Sequence, residues 1–321
     1  MSVLSSYYNL IQNENMKIYR RPRTWIMIGI LMAVIVLLTG IMEIDKDPRK
    51  GEGWQQYLVQ SNEHLKQQLA DTSGNIGPDA KQELTNRIQL NEYYMEHNRN
   101  PHALNIWSIV NLSSKLMLVV VLFTVVIAAD MFAAEHSWGT IKLLLVGPAS
   151  RTRILLSKYA ATLQFAFVLT AINILFSFLV GGVVEGFGGF SQSLIGIGED
   201  GAIVESSRLL ALLKDYGFSI IELVMFVTLA FMISAAFRSS SMAIAFSLCF
   251  LLIGGNMAAL FAHYSWGKYI LFANIDLRPY FEGTPLRPDM TLGFSIAVLI
   301  VYFLAFHVVS WLTFTKRDVA G

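Results

Sequence analysis

Glu135, Lys142, Arg151, Arg153 and Lys158 bracket an almost continuous apolar run, Ile141 to Val146, within the segment Ala-Glu-His-Ser-Trp-Gly-Thr-Ile-Lys-Leu-Leu-Leu-Val-Gly-Pro-Ala-Ser-Arg-Thr-Arg-Ile-Leu-Leu-Ser-Lys at 134–158. Charges around an apolar ridge suit docking better than bond-making, because a solvated loop has no use for such a patch. Gly139 lets the chain turn, Thr140 to Val146 supply about two turns of helix, and Gly147-Pro148 stops them. Ser150 can cap the next helix. A connector lying on lipid headgroups would carry the same pattern. Lys115 and Glu222 are the ionisable residues deepest in apolar sequence, roughly 10–13 Å inside at 1.5 Å per residue. They either pair or line a wet pathway, or each snorkels to headgroups or water. Asp130 reads as a local cap or hydrogen-bonding group, with substrate binding the alternative.

Catalytic patterns are missing. No Gly-x-x-x-x-Gly-Lys-Ser/Thr phosphate loop occurs, and the Gly267-Lys268 pair is followed by tyrosine. There is no His-Glu-x-x-His and no Gly-x-Ser-x-Gly. The single cysteine, Cys249, excludes an intrachain disulfide and a cysteine-based zinc site. The chain is therefore expected not to be an enzyme, to hold no cofactor or metal of its own, and not to hydrolyse ATP itself.

The elements that must position these residues are membrane spans. Of 321 residues 54% are hydrophobic and 15% charged, with mean hydropathy +0.51, against about 25% charged in an ordinary soluble domain. A net charge of +1 argues against nucleic acid as the main partner. Stretches at 24–43, 106–134, 158–184, 216–237, 241–262 and 291–314 each meet the length of about 20 apolar residues for a spanning helix. Lys17, Arg20, Arg21 and Arg23 precede the first; Lys142, Arg151, Arg153 and Lys158 lie between the second and third; Arg238 follows the fourth; Lys316 and Arg317 end the chain. Residues 43–105 instead hold seven Lys/Arg against ten Asp/Glu. By the positive-inside rule both termini are expected in the cytoplasm, in a multi-pass protein of the cell membrane.

The expected class is an all-α polytopic membrane protein. Residues 1–23 form an amphipathic elbow helix in the cytoplasmic interface: Val3, Leu4, Tyr7, Tyr8 and Ile11 share a face, while Asn13, Glu14 and Lys17 point elsewhere. Residues 44–105 form a small extracellular helical hairpin broken at Gly74, Asn75, Gly77 and Pro78, either an inert cap or a ligand trap. Residues 135–157 form the cytoplasmic connection, 185–215 an outer loop, 263–290 an outer re-entrant or interfacial segment with Trp266, Tyr269, Tyr280 and Phe281, and 315–321 the tail.

The pattern Glu135, Gly139-Thr140, Lys142, Leu143-Leu144-Leu145, Gly147-Pro148, Ser150-Arg151 and Leu155-Leu156-Ser157-Lys158 resembles the signature of type-2 ABC exporter permeases. The likeness extends over nearly the whole chain, from elbow helix through six spans to the closing Phe-Thr-Lys-Arg-Asp. The 44–105 insertion is like that of the subgroup with an enlarged first outer loop, often linked to peptide, antibiotic or sodium export. The resemblance implies that 135–150 is a coupling helix seated in a separate ATPase. Ile141, Leu143 and Leu144 would bury there, oriented by Glu135, Lys142, Arg151 and Arg153, with Gly139, Thr140 and Pro148 shaping the helix. It further implies two ATPase subunits carrying ATP and Mg, a second or related permease copy, surrounding lipid, and an amphipathic, peptide-, antibiotic- or lipid-like substrate. A membrane sensor or assembly subunit, with 44–105 binding a ligand or protein, is the alternative. An ion-coupled carrier would need inverted repeats and midplane charges, and neither is evident.

Overall fold

The structure, a computed structural model, describes residues 3–45, 47, 49, 51–71, 77–141, 149–188, 193–198, 201–237, 239–283 and 285–316. Its helices are α1 (Val3–Tyr19), α2 (Pro22–Ile44), α3 (Trp54–Asp71), α4 (Pro78–Glu96), α5 (Ile106–Lys115), α6 (Met117–Ser137), α7 (Arg151–Glu185), α8 (Arg208–Ala236), α9 (Ser240–Phe261), α10 (Leu271–Asn274), α11 (Pro279–Glu282) and α12 (Leu292–Lys316). A 3-10 turn covers Gly267–Tyr269. Six helical stretches are long and apolar enough to cross a membrane: α2, α5 with α6, α7, α8, α9 and α12. This is a helical, multi-pass membrane architecture.

Two spans start earlier than hydropathy indicates, at Arg151 and Arg208 instead of 158 and 216. A hydropathy window discounts polar first turns, but such turns are helical when their free N–H groups find acceptors; Arg153 N donates to Ser150 Oγ at 3.4 Å. At the other boundary Pro22 opens α2, where its fixed φ and missing N–H cost nothing.

The chain divides into two compact units. Unit 1 comprises Met1–Ala33, Ser114–Leu175 and Lys214–Gly321. Its centre is α6, whose Ala128, Ala129 and Ala133 are fully buried. Small residues there let neighbouring helices approach closely. An aromatic cluster joins four of its helices: Phe132 stands 5.2 Å from Phe231 and 4.6 Å from Phe314, and Tyr159 lies 5.2 Å from Phe231. The Tyr159 hydroxyl and Thr228 Oγ1 are 2.8 Å apart, and Asn173 donates to the Tyr216 hydroxyl at 3.3 Å. Both satisfy polar atoms inside an apolar bundle.

Unit 2 comprises Val34–Ser113 and Phe176–Leu213. Here α3 and α4 pack around Trp54, Leu58 and Ile88. Asn91 donates to Asn62 at 2.8 Å and Lys66 pairs with Glu92 at 2.9 Å. The expected loop 185–215 contains two strands, β1 (Ser193–Ile197) and β2 (Ile203–Ser207), paired antiparallel with Ile195 opposite Glu205. A five-residue strand whose partner face is a helix end leaves too short an alternation to be read reliably.

Candidate functional site

Along α1, Leu10, Glu14, Lys17 and Ile18 recur at helical spacing and turn towards the bundle, with Arg21 just beyond the helix end, whereas Tyr8 and Met16 are exposed. The charged face of the elbow therefore packs inward, because unlike charges await it there. Glu14 accepts from Lys17 at 2.8 Å and from Lys158 at 2.7 Å. Glu135 accepts from the same two lysines, at 2.8 Å and 3.1 Å. Two carboxylates and two ammonium groups thus close a ring of alternating sign across α1, α6 and α7. The Lys158 side chain is 1% exposed and Glu14 is 6%.

Such burial is costly unless every charge is partnered. Each lysine serves both carboxylates, so the ring has zero formal net charge. Thr140 Oγ1 adds a 2.5 Å bond to the second oxygen of Glu135, and the Phe132 ring face lies 5.7 Å from Lys158 Nζ. Burial acts to lower the pKa of Lys17, but its hydrogen bonds to Glu135 and Glu14 outweigh that and raise it above the usual lysine value. A cavity of about 10 Å3 lies among Glu14, Lys17, Arg21, Arg23, Glu135 and Lys158, about the space of one water.

A second cluster lies beside the ring. Asp130, 3% exposed, accepts from Arg21 at 2.5 Å and also from Arg23. Arg21 stacks over the Trp138 ring at 4.4 Å. Asp130 is thus the anchor of the α1–α2 junction, a long-range role not visible in its local sequence. Asp130→Asn keeps an acceptor but removes the charge for both arginines. The expected loss is about 1.5–3 kcal/mol of unfolding free energy, the worth of a hydrogen bond to a charged group, measured by denaturation in detergent.

The rest of the connection is held at both ends. Gly139 has φ +72, and its N–H bonds His136 O at 3.1 Å. It closes α6 in the left-handed conformation that glycine adopts without strain. A Cβ at Gly139 would meet nothing within 4 Å, so Gly139→Ala isolates the backbone term. Its expected cost is about 1 kcal/mol, read as a small drop in the denaturation midpoint. Ile141 is buried. Arg151 donates to Thr315 O at 2.7 Å, Trp311 donates to Thr152 Oγ1 at 3.0 Å, and the Arg153 guanidinium lies 6.0 Å from the Tyr7 ring. Lys142, Leu143, Leu144 and Pro148 lie outside the described residues.

Lys115 and Glu222 line one cavity of about 340 Å3 with Asp215, Ser219 and Arg278. The cation paired with Glu222 is Arg278, at 3.7 Å, which also donates to Ser219 at 2.5 Å. Arg278 comes from the segment between α9 and α12, more than fifty residues from Glu222 in sequence, so no spacing argument indicates the pair. Among the described residues no group of histidine, cysteine and carboxylate side chains could hold a metal ion.

The family described as "Protein of unknown function (DUF2705)" matches residues 81–320. The chain belongs to the DUF2705 family. This DUF2705 protein is 39% identical over 317 residues to "Uncharacterized protein YhcI" of Bacillus subtilis (strain 168), covering 98% of this chain and 99% of that one. It is 31% identical over 199 residues to "Uncharacterized membrane protein YdbK" of the same organism, covering 61% of this chain and 76% of that one. The family match includes Glu135, Lys158 and Asp130 but not Glu14, Lys17, Arg21 or Arg23.

Proposed function

We propose that this DUF2705 protein is the transmembrane subunit of an ATP-binding-cassette exporter of the type-2 class. Two separate ATPase subunits would supply ATP hydrolysis, and a second or related permease copy would complete the pathway across the cell membrane. The observation that carries the reading is the ring: Glu135 and Lys158, at the two ends of the 135–158 connection, are tied to each other and to α1. Force applied to a docked segment reaches the bundle only if both attachments are stiff. Here the connection leaves α6 and enters α7 through one shared set of ion pairs, so displacing it would move α6, α7 and the elbow together.

The Leu143-Leu144-Leu145 run in the middle of the connection offers, by sequence, the apolar side chains that an ATPase cleft would cover. The basic residues of the N-terminal arm, the 135–158 connection and the tail support a cytoplasmic placement of both termini. Few charges and many aromatics in the spans favour an amphipathic, peptide-, antibiotic- or lipid-like cargo. The test is affinity purification of the full chain from native membranes without crosslinker. Co-elution of an ATP-binding subunit, with ATP turnover in the eluate, is the expected result. An eluate with no nucleotide-binding subunit and no turnover would overturn the reading.

A further inference from the structure

Unit 2 encloses a cavity of about 500 Å3, within the range of small-molecule sites. It lies where the end of α4, the turn after it, β1 and the first residue of α8 meet. The chemistry is set by Tyr94, Asn98, Arg99, Ser193 and Arg208. This wall is built. Asn98 sits at φ 49, a left-handed position that asparagine adopts more readily than most non-glycine residues. Its backbone bonds Met95 O at 3.2 Å, its side chain accepts from Gln55 at 3.0 Å, and the next residue, Arg99, bonds Tyr94 O at 2.9 Å. Arg208 Nε donates to Ser193 O at 3.2 Å, which aligns the guanidinium against β1.

Three side chains of this wall, Tyr94, Asn98 and Arg208, offer donors to the cavity. Arg99 is taken by Glu205 at 3.1 Å, and Glu205 also accepts from the Tyr93 hydroxyl at 3.0 Å. Arg208 is half-buried, yet among the described residues no carboxylate lies within ion-pair distance of it. The half-buried Tyr94 hydroxyl and the amide nitrogen of the exposed Asn98 likewise meet no acceptor among the described residues. Burial raises the pKa of Tyr94, which keeps the phenol protonated and donating. A half-buried guanidinium without a counter-ion, beside a phenol and an amide in a polar cavity, is short of one thing: acceptor oxygens carrying negative charge.

We infer that this cavity binds a hydrophilic small molecule through an oxyanion, a phosphate or carboxylate, gripped by the free edge of Arg208 with help from Tyr94 and Asn98. The planar fork of arginine matches two oxygens of such a group. A free metabolite and a lipid headgroup would present the same oxyanion. The proposal does not depend on ATPase coupling and is tested on the purified full chain alone.

The experiment is calorimetric titration in neutral detergent at fixed ionic strength with four probes: inorganic phosphate, glycerol 3-phosphate, succinate and dihexanoylphosphatidylglycerol. Saturable binding of at least one is expected, weakened about tenfold or more by Arg208→Gln and several-fold by Tyr94→Phe. Tyr94→Phe removes one hydroxyl and no packing volume, so it remains informative if Arg208→Gln misfolds. Binding confined to the short-chain lipid assigns the oxyanion to a headgroup, and binding of the water-soluble probes assigns it to a free solute. No saturable heat from any probe, or binding that both folded variants retain at full strength, would overturn the inference.

Discussion

Replacing Lys158 with methionine is expected to lower the unfolding free energy by about 3–5 kcal/mol, the cost of breaking a buried pair by removing one partner. Methionine fills most of the volume of the lysine stem, so the loss isolates the charge. Lys158 bonds both Glu14 and Glu135, and without it two largely buried carboxylates share Lys17 alone. Adding Glu135→Gln returns the site to zero net charge. The double variant should therefore recover part of the loss, giving a coupling energy that independent sites do not show. Denaturation of the four proteins of this cycle in one detergent measures it. A single variant as stable as the parent would mean that the ring closes only weakly.

If the proposed coupling holds, Leu144→Asp abolishes productive association with an ATPase subunit. A carboxylate placed within the apolar run Ile141 to Val146 would have to be desolvated without a partner on docking. Central interface residues cost about 2–4 kcal/mol when disrupted, or roughly 30- to 1000-fold in affinity. Co-purified ATPase should fall to background while the unfolding midpoint of the chain stays close to that of the parent. Leu144→Met, similar in volume, should leave association intact. If the aspartate variant retains its ATPase and turnover in full, the 135–158 connection is a headgroup-lying connector and the coupling reading fails.

The sequence makes the membrane class and the six apolar stretches plain because a spanning helix must spend about 20 residues on one physical demand. The ends of those helices are less legible. Arg151, Arg153 and Arg208 look like loop charges in a hydropathy profile, yet each lies in a helical first turn. The site divides along similar lines. Glu135 and Lys158 stand out because they frame an odd apolar connection. Glu14 and Lys17 are assigned by periodicity to the solvated side of α1, since an amphipathic reading sends charges to water. In the fold they face inward, drawn by two charges from helices far away in the chain. Periodicity records the polarity of a face but not the polarity of what it will meet. Asp130 and Arg278 illustrate the same limit, since their partners are distant in sequence and no local pattern names them.

The closed ring also constrains how the protein can change over generations. Any one of Glu14, Lys17, Glu135 and Lys158 that loses its charge leaves the other three unbalanced in a largely buried cluster. Viable drift at these positions should thus proceed by paired replacements: one acid with one base, or a swap of signs between neighbours. A single reversal would be tolerated only after the elbow had already loosened. Four positions spread over 144 residues of chain would then be inherited as one unit.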